Sequence, residues 1–285
     1  FKKDKLFSKN DKPAFNQKDE RFLKLKVALP FLSSKRLELG FGIAQIEDRY
    51  FQNNVIDFDK DKYDKSGYRL FGGSVSFNGS TLNSRQFPIQ GAREALVAQI
   101  FTGNESFRPG GNSENKKPVK EKHSWLQLSY MKEKYHKMGA NWILGWYLDA
   151  VYASKNFSEN YTATMMQASE FAPTAHSKLT YNEAFRANQY VAAGIRPIYR
   201  LNQMFHVRGE FYGFLPIFPI ERNSINKAYY GKAFSRFEYL GEISVVCQLP
   251  FGAISAYVNH YSSPRREWNV GLTLGWQLFN YRFIE

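Results

Sequence analysis

The sequence has no apolar run approaching the roughly 18–20 residues that a spanning helix needs, which excludes a helical membrane protein. It has one cysteine, so no internal disulfide forms. That residue, Cys247, falls on the apolar side of an alternating stretch and reads as a small hydrophobe. No Walker loop and no dinucleotide fingerprint is present. Gly-x-Ser-x-Gly is also missing, because Gly72-Gly73-Ser74-Val75-Ser76 fails at its last position. The five histidines, 123, 136, 176, 206 and 260, show no metal spacing with Cys, Asp or Glu, so neither a metal nor a cofactor is expected. The chain starts at Phe1 without Met or a signal-peptide core, which leaves a mature, a processed or a partial chain open. Acidic residues are scarce: 26 Asp+Glu stand against 39 Lys+Arg, a formal net charge of +13. The cations are spread out, with no basic block interleaved with aromatics, so nucleic acid is not an expected partner. Outer-membrane lipid and lipopolysaccharide are the expected partners of exposed basic loops. A membrane-protein partner or a dimer is left open.

What the sequence does have is alternation. In 235–249 the odd positions Phe237, Tyr239, Ile243, Val245, Cys247 and Leu249 are apolar, while the even ones include Arg236, Glu238 and Glu242. Side chains alternate across a strand, so this is a β pattern. It recurs over 21–30, 35–46, 68–78, 92–102, 124–135, 141–153, 189–199, 203–214, 252–260 and 267–278. These eleven segments predict eleven strands, most of ten residues or more. Soluble strands average roughly 5–6 residues, and lipid-spanning strands need about 9–11. The face opposite the apolar one is rich in Gly, Ser, Arg and Glu. A dry core rejects unpaired charges, whereas a wet barrel lumen accepts them. Aromatics at strand ends, Tyr50–Phe51, Trp268, Phe279, Tyr281 and Phe283, are assigned to interfacial girdles.

The connections alternate short and long. FLSS (31–34), KMGA (137–140), 201–202 and 250–251 are short; 48–66, 103–123, 154–188 and 215–234 are long. Outer-membrane barrels have short periplasmic turns and long external loops. The expectation is therefore an all-β, antiparallel transmembrane β-barrel in the bacterial outer membrane, with residues 1–285 forming one barrel domain. The apolar faces meet lipid and the polar faces meet the lumen. The polar residues 1–20, with Pro13, would lie outside. Bacterial barrels have even strand numbers, so an odd number of strands is expected before Phe1.

Two stretches carry a family resemblance. STLNSRQFPIQG (80–91) resembles the periplasmic D-T-L-N…P-x-x-G hairpin of the outer-membrane insertase, or bacterial surface antigen, superfamily, with Ser80 in place of the acidic residue. Pro88 fixes φ and Gly91 supplies φ > 0 for a tight turn. NEAFRANQYVAAG (182–194) resembles the V-R-G-Y/F tip of the sixth external loop of that superfamily, which folds back into the lumen. Arg186 would be the lumen arginine, with Phe185 for the valine and Tyr190 for the aromatic. The resemblance implies a 16-stranded barrel of which this chain holds the last eleven strands. The chain is most similar to the barrel that follows a patatin-like phospholipase domain in Bacteroidetes-type proteins. It implies a barrel that anchors or exports an N-terminal lipase domain outside this chain. The alternatives are an insertase for outer-membrane proteins and a porin or structural subunit. The segment 154–188 is then an external loop folding into the lumen. There Arg186 would meet Glu210, Glu238 or Glu242, beside Arg208. His206 would join the same charge lattice. His260 near Ser262 is a remote candidate for a lipase pair. No catalytic residue is expected in this segment itself.

Overall fold

Alternation by itself does not say which face is buried. A computed structural model of the chain, which describes residues 16–32, 34–52, 62–111, 113–250, 252–263, 268–275 and 283–284, decides it. Six strands come first: β1 (Asn16–Leu32), β2 (Lys35–Tyr50), β3 (Asp64–Ser80), β4 (Gly91–Arg108), β5 (Val119–Lys137) and β6 (Trp142–Ala153). A long connection follows, with helix α1 (Tyr161–Gln167) and the short strands β7 (Ser169–Glu170) and β8 (Arg186–Ala187). Then come β9 (Gln189–Arg200), β10 (Phe205–Pro216), a small hairpin of β11 (Ile220–Arg222) and β12 (Ala228–Tyr230), β13 (Glu238–Leu249), β14 (Gly252–Tyr261) and β15 (Trp268–Gly275). Eleven of these form one sheet in the order β1-β2-β3-β4-β5-β6-β9-β10-β13-β14-β15. Every neighbouring pair is antiparallel. Each of the eleven alternating segments of the sequence coincides, over its described residues, with a wall strand.

Burial runs opposite to that of a soluble protein. Ile243 is 56% exposed and its neighbour Glu242 1%; Phe211 is 48% exposed and Glu210 2%. The rule holds along the wall: Leu25, Val27, Phe41, Ile43, Ile100 and Ile195 face out, and Asp48, Gln99, Glu105, Arg196, Arg208 and Ser244 face in. In water, each exposed apolar face would forgo roughly 25 cal/mol per Å² of burial. Against hydrocarbon nothing is lost, and the polar groups need only a satisfied interior. Strands β1 to β5 are 16–19 residues long and overrun the span of a bilayer core. The fold is an all-β, antiparallel transmembrane barrel wall.

The girdle assignments need correction. Trp268 does face outward, and so do Phe31, Trp142 and Phe205 near the short turns. Tyr50 and Phe51 instead point inward and are buried, because Tyr50 falls on the same face as Ile46 and Asp48 and bonds inside to Ser66. Phe283 is also interior. Its ring lies 5.6 Å from Phe101 and 6.1 Å from Phe22, and its backbone N–H donates to Glu20. Phe283 thus sits on the inner side of the sheet and fills a cluster with Trp125 and Leu70. Phe279, Tyr281 and Pro13 lie outside the described residues.

Candidate functional site: the filled lumen

The interior is filled by chain from both ends. From the long-loop end, residues 154–188 enter between the wall strands. Asn160 caps α1 through Ala163 N–H (2.9 Å) and donates to the hydroxyl of Tyr50 (2.6 Å). All seven residues of α1 are buried, as expected of a helix with wall on every side. Gln167 donates to Asp48 on β2. Further on, Thr174 donates to Glu242 on β13 (3.0 Å). One loop therefore ties β2 to β13 across the lumen.

Lys155 opens this loop. Its Nζ lies 4.7 Å above the Trp125 ring and 5.8 Å from that of Tyr68, with no hydrogen-bond partner among the described residues. Burial, helped by Lys18, pushes its pKa down to about 7, against the pull of Glu105 and Asp48.

Arg186 is buried, but its partner is not the expected one. Its Nη2 lies 2.7 Å from Glu170, and its Nη1 faces the carbonyls of Met165, Met166 and Ala168 at 3.2–3.5 Å. The reason is register: β7 and β8 pair so that Glu170 sits directly opposite Arg186. The wall acids already have partners. Glu238 takes Arg236 (2.6 Å) and the Ser262 hydroxyl. Glu210 takes Arg208 on its own strand and Arg196 across the β9–β10 pair (3.5 Å). Glu242 takes Thr174 and His176. Glu210 and Glu242 stand directly opposite each other across β10–β13, so each needs its own compensation. Phe185 and Tyr190 pack in an aromatic cluster with Phe171, Tyr212, Phe214 and Tyr261.

His176 links the loop to three strands. Its Nδ1 is 2.7 Å from Glu242, and its Nε2 is 2.9 Å from Thr273 and 3.4 Å from Ser255. Hydroxyl, imidazole and carboxylate stand in the order of a proton relay. Here the Tyr257 ring stacks on the imidazole at 3.5 Å, with Phe87 beside it at 6.2 Å, and closes the approach to the face. The arrangement can hold a loop better than it can attack a substrate. The pair suggested by His260 and Ser262 is not assembled. Ser262 donates to Glu238, and His260 stacks on Tyr239 and packs against Trp268.

From the short-turn end, residues 81–90 also fold inward. This connection is ten residues long rather than a tight turn. Phe87, at φ +54°, is buried against Val246 and Ala253. The Pro88 carbonyl accepts from Arg208 Nη1 at 2.9 Å. The side chain of Asn83 accepts from the N–H groups of Ile89 and Gln90, both at 3.0 Å. Gly91 has φ +92°, and a Cβ there would lie 2.1 Å from the Thr81 carbonyl oxygen, so only glycine fits. Next to this turn runs a charge lattice: Arg196 with Glu133 and Glu210, and Arg208 with Glu210 and the Tyr135 hydroxyl (3.2 Å). His206 is buried beside it, its Nε2 without a hydrogen-bond partner among the described residues. Between turn and loop remains a cavity of about 100 Å³.

One group escaped the sequence reading. Glu121 and His123 share a face of β5, and Glu105 is directly opposite Glu121 on β4. Their donor atoms lie within 4.8 Å of one another, and His123 Nε2 is 2.8 Å from Glu105. An imidazole with two carboxylates is a donor set that can take a divalent transition metal. The i, i+2 spacing on a strand, with a carboxylate across the ladder, was the only available signal, and it required the register.

No family model matches the chain, and no curated protein matches it. Among solved structures it is similar to BauA, the ferric preacinetobactin receptor from Acinetobacter baumannii, at 8% identity and a TM-score of 0.44. That likeness covers 86% of this chain, which spans 37% of the length of the receptor chain.

Proposed function

We propose that this chain is an outer-membrane β-barrel of the insertase superfamily whose task is to hold, anchor or export an N-terminal patatin-like lipase domain. The observation that carries the holding role is the filled lumen. Among the described residues, a loop of 35 residues and an inward turn, both bonded to the wall, occupy the inner side of the sheet, which does not suit a general porin. The link to the superfamily, and within it to lipase-bearing barrels, rests on STLNSRQFPIQG and AFRANQYVAAG in the sequence. The same motifs support an insertase as the second reading. Arg186, pinned inside, fits either.

Three measurements test the proposal. The chain should fractionate with the outer membrane and shift its gel mobility on heating; a soluble, heat-insensitive product would end the barrel reading. The coding sequence upstream of Phe1 should contain Gly-x-Ser-x-Gly and an Asp-Gly pair; periplasmic repeats instead would favour the insertase. Depletion should leave the levels of other outer-membrane proteins unchanged; a general fall would transfer the assignment to the insertase.

A further inference from the structure

Strands β3, β4 and β5 overrun a bilayer core at the long-loop end, and the overrun has an outward face of its own. At its centre Gly67 and Ser106 stand directly opposite each other across β3–β4. Five cations surround them. Lys65 and Arg69 lie two residues to either side of Gly67, Arg108 lies two residues beyond Ser106, Lys120 faces Ser106 from β5, and Lys122 follows it. Arg69, Arg108, Lys120 and Lys122 are exposed and Lys65 partly so, its Nζ 5.2 Å above the Tyr63 ring. None of the five makes an ion pair among the described residues. The acid beside them, Glu47, faces Gly67 from β2 and is bound by Arg49 at 2.7 Å. Lys65 is directly opposite Arg108, and like charges so placed weaken a ladder. Phe71 (52% exposed), the next outward residue after Arg69, begins the lipid-facing apolar surface that continues at Ile100 (63%).

We propose that this patch seats the phosphorylated headgroup of a lipopolysaccharide molecule, with a phosphate over Gly67 and Ser106 and the five cations around it. Glycine and serine keep the centre low, and long side chains rim it. Two guanidinium forks match phosphate oxygens bidentately, and three ammonium groups add point charges. A phosphate between Lys65 and Arg108 relieves the repulsion of that pair. Size fits as well. Neighbouring strands lie about 4.8 Å apart and successive outward residues of one strand about 7 Å, so the cations span a field roughly 10 Å by 14 Å. That suits a headgroup with phosphates at more than one point better than a single phosphate ester. A lipid is favoured over a soluble anion because the apolar surface continues directly from the charged one. Acyl chains of the same molecule would lie along Phe71 and Ile100. The proposal rests on the outer-membrane barrel reading and is independent of whether the barrel carries a lipase.

The test uses the whole chain refolded in neutral detergent micelles, with a chelator present to remove bridging divalent cations. The diphosphorylated lipid portion of lipopolysaccharide is titrated by calorimetry. Saturable binding is expected, weaker as salt is raised. In Arg69→Ala/Arg108→Ala it should fall about tenfold or more, as the loss of charge-assisted bonds implies. Lys134→Ala/Lys137→Ala removes two cations from the short-turn end of β5 and should bind like the parent. One further measurement needs no variant to fold: the same lipid stripped of its phosphates should bind the parent chain at least tenfold more weakly. Heat-modifiability on gels is read for every sample. Its loss in the parent would overturn the barrel reading and this proposal with it. A heat-modifiable parent without saturable binding would overturn this proposal alone. So would full binding of the dephosphorylated lipid, equal weakening in both double variants, or phosphatidylglycerol bound as tightly as the diphosphorylated lipid.

Discussion

At the scale of single residues, the lumen depends on pairs whose loss strands a buried charge. Arg186→Ala leaves Glu170 without its cation and frees three carbonyls, so loop docking should weaken by about 3–5 kcal/mol. Limited proteolysis within 154–188 should accelerate while heat-modifiability of the wall persists. Glu170→Gln should give much of the same effect, whereas Glu210→Gln should not; equal sensitivity to both would contradict the Glu170 pairing. His176→Ala should cost about 1–3 kcal/mol, because Glu242 then faces Glu210 with one donor fewer. Adding Glu242→Gln should recover part of that loss in a double-mutant cycle. Lys155 and Lys178 give a pH signature. Their folded-state pKa values, about 7 and about 8, lie below the ordinary lysine value of roughly 10.4. Between those limits the unfolded chain binds more protons than the folded one, so stability rises with pH from about 7 to about 10. Denaturant midpoints over that range should climb in the parent protein and flatten in Lys155→Met/Lys178→Met.

At the scale of elements, the strands were legible and the plugs were not. Period-two alternation is local and survives in each strand, which is why 235–249 and 267–278 announce themselves. The inward face of 81–90 carries no such period. Phe87 reads like any loop aromatic until its contact with Val246 is known. Helix α1 is a single buried stretch of seven residues, too short for a helical period to declare itself. Glu170 as the partner of Arg186 depends on pairing two residues sixteen apart, which no spacing rule announces. The tail was misread for a related reason: an aromatic near a strand end suits a girdle or an interior cluster equally well by type. Gly194 makes packing between elements testable. A Cβ there would sit 2.1 Å from the ring of Tyr212, which Arg196 and Glu210 hold by its hydroxyl. Gly194→Ala should therefore destabilise the barrel by about 1–3 kcal/mol, seen as a lower melting temperature in detergent.

At the scale of the whole molecule, the wall is a container and the loops are its contents. Planar-bilayer recordings of the intact chain should show little or no steady conductance. Removing 157–187 should open a path, and that path should favour anions over cations, because Arg85 and Arg93 would then line it. Cation preference in the shortened chain would contradict the charge inventory of the cavity. The lattice has one more property. Arg36 and Glu38, Arg208 and Glu210, and Arg236 and Glu238 each pair two residues apart along the chain. Partners so close in sequence meet before any neighbouring strand arrives. A hairpin entering the bilayer thus carries its counter-charges with it and presents dipoles rather than bare ions to the hydrocarbon. The wall can grow hairpin by hairpin, without waiting for closure to make its charges tolerable.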